Sequence, residues 1–216
     1  MALQVETIVN GPFQENCFMV WDDQAKQCIF IDPGDEPARV ARSATFLELE
    51  VLGIYNTHGH LDHAGGVAAL KEQLKVPFAI HPDDAFLLDN MPGQARMFGL
   101  PPMDVPTIDR ELAPGDTIEV GAFEAVVLHT PGHTPGGVCF LFESEKMVFV
   151  GDTLFAGSIG RTDLPGGSFK QLMESIKTQL MTLDDELDVL TGHGPPTTIG
   201  TERKYNPFIT GEIRGY

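Results

Sequence analysis

Thr57-His58-Gly59-His60-Leu61-Asp62-His63 places three imidazoles and a carboxylate within seven residues, and few folds can accommodate such a run. Neutral ring nitrogens and carboxylate oxygens are ligands for Zn²⁺, Fe or Mn. Partners on one helix face need a spacing of three or four. His63 breaks the every-second-residue pattern of positions 58, 60 and 62 that one strand face requires. The run therefore reads as a loop wrapped round metal, with 58 and 60 reaching one point and 62 and 63 another. The whole chain holds seven histidines, so three of them inside six positions is not a chance grouping. Gly59 and the Gly65-Gly66 pair read as backbone geometry, for tight turns or close approach, and Leu61 as a core anchor under the loop. His81, which precedes a proline and has no similar neighbour until Asp83, reads as an ordinary helix-start or surface histidine.

A second pattern runs through the chain. Four apolar strand runs each lead into a histidine or aspartate beside glycine. Val51–Tyr55 leads into the first motif, and Ala125–Leu128 into Thr130-Pro131-Gly132-His133. Met147–Val150 leads into Gly151-Asp152, and Leu187–Leu190 into Gly192-His193-Gly194. Strand ends gathered along one sheet edge are where sites form. A lone Gly-Asp or Gly-His-Gly says little, but four such exits together supply seven ligands. His129, at the end of an apolar strand, reads as a structural or supporting residue.

Around these motifs the chain reads as alternating strands and helices. Leu3–Val9, Cys17–Trp21 and Cys28–Asp32 are short β-prone runs divided by Gly11-Pro12 and Asp22-Asp23 turn signals. Pro37–Leu49 has helical content with proline in the first turn. A strand over 51–56, a helix over 64–74 and a strand over 77–80 follow. Residues 89–116, rich in Pro, Gly and Met, read as a long connection, either a lid or a structural wrap. Strands are predicted at 118–120, 123–128, 138–142, 147–150 and 187–190, and a helix at 169–181.

The length of 216 residues suits one domain with a substantial core. No apolar run approaches the ~20 residues of a membrane span, and no secretory signal is visible. Cys17, Cys28 and Cys139 lie in apolar stretches without C-x-x-C spacing, so they read as buried free thiols in a reducing cytoplasm. Thirty-one acids against 14 bases give a formal charge of −17. That surface repels phosphate backbones and anionic membranes, which argues strongly against a nucleic-acid role.

H58-x-H60-x-D62-H63, followed in order by His133, Asp152 and His193, resembles the ligand set of the metallo-β-lactamase-fold hydrolases. T-H-G-H-L-D-H, P-G-H-T-P-G and G-D-T-L-F-x-G-x-x-G-R-T-D are similar to glyoxalase II-like proteins. The length and the T-x-G-x-E-R-x-x-N-P-F ending resemble their small, single-domain bacterial branch. The resemblance extends from about residue 5 to the C-terminus. It implies an α/β fold, a four-layer αββα sandwich of two mixed sheets face to face with helices outside. It also implies one metallo-hydrolase domain over 1–216 without a C-terminal helical glutathione-binding domain.

By that resemblance His58, His60 and His133 would hold one ion, Asp62, His63 and His193 a second, and Asp152 would bridge them. The ions would be divalent, zinc first, with iron or manganese as alternatives. Asp62 and Asp152 would be the catalytic carboxylates. A metal-bridging hydroxide would attack a thioester carbonyl, that of S-lactoylglutathione or a related hydroxyacylglutathione, and release an acid and a free thiol. Arg161 stands where the family places a basic glutathione contact, and Asp163 where it usually has a tyrosine, so Arg161 either meets substrate or pairs with Asp163. Arg203 and Lys204 form either a small basic rim or a solvated helix pair. The rival reading is a persulfide dioxygenase with a single iron on His58, His133 and Asp152.

Overall fold

Alternation along the early strands sets the architecture. In β2 (Glu15–Asp22), Cys17 and Met19 pack to one side and Phe18 and Val20 to the other. In β3 (Gln27–Ile31), Cys28 and Phe30 oppose Ile29 and Ile31 in the same way. A strand buried on both faces needs cover on both. The structure, a computed structural model, describes residues 2–213.

The first sheet runs β1 (Leu3–Asn10), β2, β3, β4 (Glu50–Tyr55), β5 (Phe78–Ile80), β6 (Arg110–Glu111). It is antiparallel as far as β3 and parallel beyond it. Parallel neighbours need crossover connections, and these carry α1 (Pro37–Phe46), α2 (Leu61–Ala64), α3 (Val67–Leu74) and α4 (Ala85–Met97). The second sheet has the order β14 (Thr197–Thr198), β13 (Asp188–Thr191), β10 (Met147–Gly151), β9 (Val138–Phe142), β8 (Phe123–His129), β7 (Thr117–Val120). Here β10 and β13 are parallel and the other neighbours antiparallel. A small hairpin of β11 (Leu154–Phe155) and β12 (Ser158–Ile159) follows β10, and α5 (Phe169–Ser175) and α6 (Ile199–Tyr205) lie late in the chain.

Three apolar clusters stack as layers. The middle one joins the two sheets, with Phe18, Ile29 and Ile31 against Val127, Phe140 and Phe149. Phe18 meets Phe149 edge to face at 5.0 Å. An outer cluster packs α1, α3 and α4 on the first sheet through Val40, Leu70 and Leu88, and another packs α5 and α6 on the second through Leu172 and Ile199. The result is a four-layer αββα sandwich of two mixed sheets. Burying one Phe or Leu side chain contributes about 1.5–3 kcal/mol, so the double coverage is the main source of stability.

Local chemistry departs from the sequence reading in several places. The histidine run is not loop throughout: Leu61–Ala64 forms one helical turn, with Ala64 N bonded to His60 O at 3.0 Å. The helix read over 64–74 is accordingly divided at Gly65-Gly66, and α1 stops at Phe46 rather than Leu49. Residues 89–116 are not a plain connection. They begin inside α4, which keeps Pro92 in its interior because Leu87, Leu88, Met91 and Ala95 bury one face, a packing gain that offsets the bond the proline removes. The segment also contains β6. Of the two readings for His81 the helix start holds, since it caps the turn Pro82–Asp84, and the surface position does not, since it is buried. Arg203 is no free basic rim, because it bonds Met181 O and Leu183 O and pairs with Asp185. The three cysteines are buried free thiols, and burial pushes Cys28 up to about 12 and Cys139 to about 11. Among the described residues no helix is long and apolar enough to cross a membrane.

Candidate metal centre

The four strand exits meet at one place. β4 ends at Tyr55, and Asn56 closes the next loop by donating to His63 O at 2.8 Å and His58 O at 3.3 Å. Leu61 packs into the outer core beneath it. β8 delivers His133, β10 delivers Asp152, and β13 delivers His193. All seven residues singled out from the sequence stand together.

They form two triads. His58, His60 and His133 present ring nitrogens within 4.8 Å of one another, and so do Asp62, His63 and His193 with their donor atoms. His60 Nδ1 faces His133 Nε2 at 2.9 Å, and His63 Nε2 faces His193 Nε2 at 3.3 Å. His193 Nε2 is 3.3 Å from Asp62 Oδ2. Asp152 stands between the triads: Oδ2 lies 3.5 Å from His133 Nε2, and Oδ1 lies 3.3 Å from His63 Nε2 and 3.7 Å from His193 Nε2.

The rear nitrogens settle the tautomers. His133 Nδ1 donates to Arg161 O at 2.7 Å, and His63 Nδ1 to Asp32 Oδ2 at 3.0 Å. Thr57 Oγ1 donates to Asp32 at 2.5 Å, which leaves its oxygen to accept from His58 Nδ1 at 3.1 Å. Each proton is held behind its ring, so the forward nitrogens carry lone pairs. His58 Nε2 and Asp152 Oδ1 are buried without hydrogen-bond partners, a costly arrangement in a dry interior. Lone pairs about 3 Å apart suit neighbouring ligands on one ion with bonds of ~2.0–2.1 Å. The donor set therefore fits two divalent cations.

Electrostatics agree with this at His58 and His60. Burial and the neighbouring imidazoles hold His58 well below the usual histidine range, and burial holds His60 at about 3. Both rings are neutral at pH 7. Burial alone would lower His63, but Asp152 and Asp32 raise it well above that range, so a cation binding its forward nitrogen displaces a proton. Burial alone would raise Asp62 and Asp152, but the histidines facing them hold both carboxylates down.

Arg161 is exposed and clamped to Asp163 by two bonds of 2.8 and 2.7 Å. Its backbone, not its guanidinium, touches the triads. His129 supports the His133 loop, with Nε2 on Pro135 O at 3.0 Å. Its ring stacks on His81 at 4.4 Å and 6°, and with Asp83 the pair brings three donor atoms near one another. Lone pairs lie in the ring planes, and two parallel planes do not converge on a shared ion.

Sequence reasoning missed Asp32, Glu15, Asn16 and Asp84. Asn16 holds the His193 loop through Gly192 O, Thr191 O and Gly194 O at 2.8–2.9 Å. Glu15, buried, lies 3.9 Å from His63 Nδ1. Asp32 had a legible signal, for Asp32-Pro33-Gly34 is a fifth strand exit with an acid beside glycine. We expect Asp32→Asn to weaken zinc binding about 10–100-fold, because it disturbs the proton behind two rings at once. Competition with a chromophoric chelator measures this, and an unchanged affinity would contradict the assigned tautomers.

Comparison with known proteins gives a consistent outcome. The Metallo-beta-lactamase superfamily profile matches residues 10–193. Hydroxyacylglutathione hydrolase GloC of Haemophilus influenzae is 41% identical over 209 residues, 96% of this chain and 98% of that protein. The crystal structure of the BLEG-1 B3 metallo-beta-lactamase superposes with a TM-score of 0.89 at 36% identity, covering 96% of this chain and 100% of that one. TTHA1623 in a di-iron-bound form gives 0.84 at 41% identity, covering 94% and 99%.

Proposed function

This chain belongs to the metallo-beta-lactamase superfamily of metallo-hydrolases, and from that premise we propose that it cleaves a thioester, S-lactoylglutathione or a related hydroxyacylglutathione, to an acid and a free thiol. The observation that carries the reading is Asp152, one oxygen toward His133 and the other toward His63 and His193, between two complete donor triads. The similarity to the Haemophilus influenzae hydrolase supports the substrate class.

His58, His60 and His133 would hold the first ion, Asp62, His63 and His193 the second, and Asp152 would reach both. His and Asp donors suit zinc, and also iron and manganese; the di-iron form of a relative supports the wider range. When bound, the ions supply Lewis acidity, lowering the pKa of water from about 15.7 toward ~7 and stabilising charge on a carbonyl oxygen.

The protein's own groups do the rest. Asp62 accepts a hydrogen bond at the open side of the second triad and orients the attacking water. Asp32 and Thr57 keep the His63 and His58 rings turned forward. A thiolate leaves readily, since thiol pKa values lie near ~8.5, so the reaction needs no separate general acid. Arg161 contacts the glutathione arm in this reading, exchanging Asp163 for a substrate carboxylate at the rim beside His133.

The test is metal content per chain with turnover of S-lactoylglutathione, nitrocefin and glutathione persulfide. Two ions and metal-dependent thioester turnover support the proposal. One iron with oxygen consumed on the persulfide overturns it in favour of a dioxygenase. Nitrocefin cleavage without thioester cleavage overturns it in favour of a β-lactamase.

A further inference from the structure

Asp84 stands where a helix-capping carboxylate belongs, at the residue preceding α4, yet its side chain makes no cap hydrogen bond to that helix. An aspartate there ordinarily accepts from the first-turn N–H groups. This carboxylate is fully buried and turned elsewhere. Oδ2 accepts from Gly59 N at 2.9 Å and Thr134 Oγ1 at 2.8 Å, and Oδ1 accepts from Gly136 N at 2.6 Å. Gly59 lies between His58 and His60, and Thr134 follows His133. Each member of the first triad is thus the chain neighbour of a group bonded to Asp84.

The two loops have no room for a looser arrangement. A Cβ at Gly59 would stand 2.9 Å from Asp84 O, and one at Gly136 would stand 2.8 Å from the Asp84 backbone N and carboxylate. The second triad is held by other means, with Asn16 on the His193 loop and Asp32 behind His63. Asp84 bonds to neither.

We propose that Asp84 is the positioning residue of the first metal subsite: it gives up its helix cap to lock the His58–His60 loop to the His133 loop. Asp32 reaches both subsites, through His63 Nδ1 and through Thr57 to His58, but the bonds of Asp84 serve the first alone, so its loss is felt there selectively. The inference rests on the two-ion reading above. The mechanism is geometric, because a shared carboxylate fixes the spacing of backbones distant in sequence, and ligand preorganisation of this kind governs affinity about 10–100-fold.

The experiment is zinc titration of chelator-stripped protein, read by competition and calorimetry, in two backgrounds. His193→Ala leaves the first subsite intact, and His60→Ala leaves the second. Asp84→Asn keeps the shape and one acceptor oxygen but sets an amide N–H₂ against one of the donors. It should weaken zinc about 10-fold in the His193→Ala background and less than about 2-fold in the His60→Ala background. Asp84→Ala should extend the first loss toward about 100-fold. Should the alanine variant not fold, the asparagine variant decides alone. Equal losses in both backgrounds would mean a general structural role and overturn the inference, as would no loss in either. Wild-type protein that takes up fewer than two zinc ions would overturn the two-ion reading itself, and this inference with it.

Discussion

Asp152→Ala is expected to lower thioester turnover about 1,000-fold or more and to reduce bound metal from two ions per chain toward one. The magnitude follows from removing charge stabilisation at the reacting centre, for which a single lost donor already costs about 100–1,000-fold. Among the described residues Asp152 is the one carboxylate within 4 Å of both triads, so its loss also leaves five imidazoles together with less opposing charge. The fold should survive. Asp152 lies outside the three apolar clusters, and its truncation leaves the sheet contacts of β10 in place. Metal analysis, turnover and thermal melting of the metal-free protein measure the three parts separately. Full turnover by a metal-free Asp152→Ala protein would sink the two-ion mechanism.

Gly34→Ala carries the largest expected cost to stability. Gly34 follows Asp32-Pro33, where the chain passes back to back with the turn that holds Asp62 and His63. An added methyl would overlap the Asp62 carbonyl oxygen and crowd His63 N at 3.1 Å. The neighbouring atoms are backbone, so no side chain can swing aside. Relief requires moving the 33–35 segment or the 62–66 turn, and either displaces Asp62, His63 or Asp32. We expect a loss of about 3 kcal/mol or more, a fall in Tm of roughly 6–12 °C, and weaker metal uptake at the second triad than at the first. Gly93→Ala is the control. It lies inside α4 with nothing within 4 Å of an added methyl, so a gain of about 0.5–1 kcal/mol is expected. Equal melting temperatures for the two variants would contradict the close approach.

Much of this was legible because the signals are local. The strands at Cys17–Trp21 and Cys28–Asp32 read directly from short β-prone runs between turn signals, as does a strand run stopping at Gly151-Asp152 or Gly192-His193. α4 was hidden because Pro92-Gly93 argues against a helix, and only the burial of Leu88 and Met91 against the first sheet decides for it. β6, β11, β12 and β14 are two residues each, too short for any period to register. They exist because a neighbouring strand offers them partners. Asp84 sat inside His81-Pro82-Asp83-Asp84, where its nearer neighbour was the more conspicuous acid. Nothing local tells which of two adjacent aspartates turns inward.

The sequence by itself determined which donors the chain possesses and that they leave the sheet at strand ends, because residue chemistry and strand periodicity are properties of short segments. Only the tertiary structure decided which donors stand together in a triad, which ring nitrogen faces forward, and which buried carboxylates hold the loops in register. Those are distances of 2.5–3.7 Å between groups as far apart in the chain as His63 and His193, and such spacing is created by the packing of the two sheets.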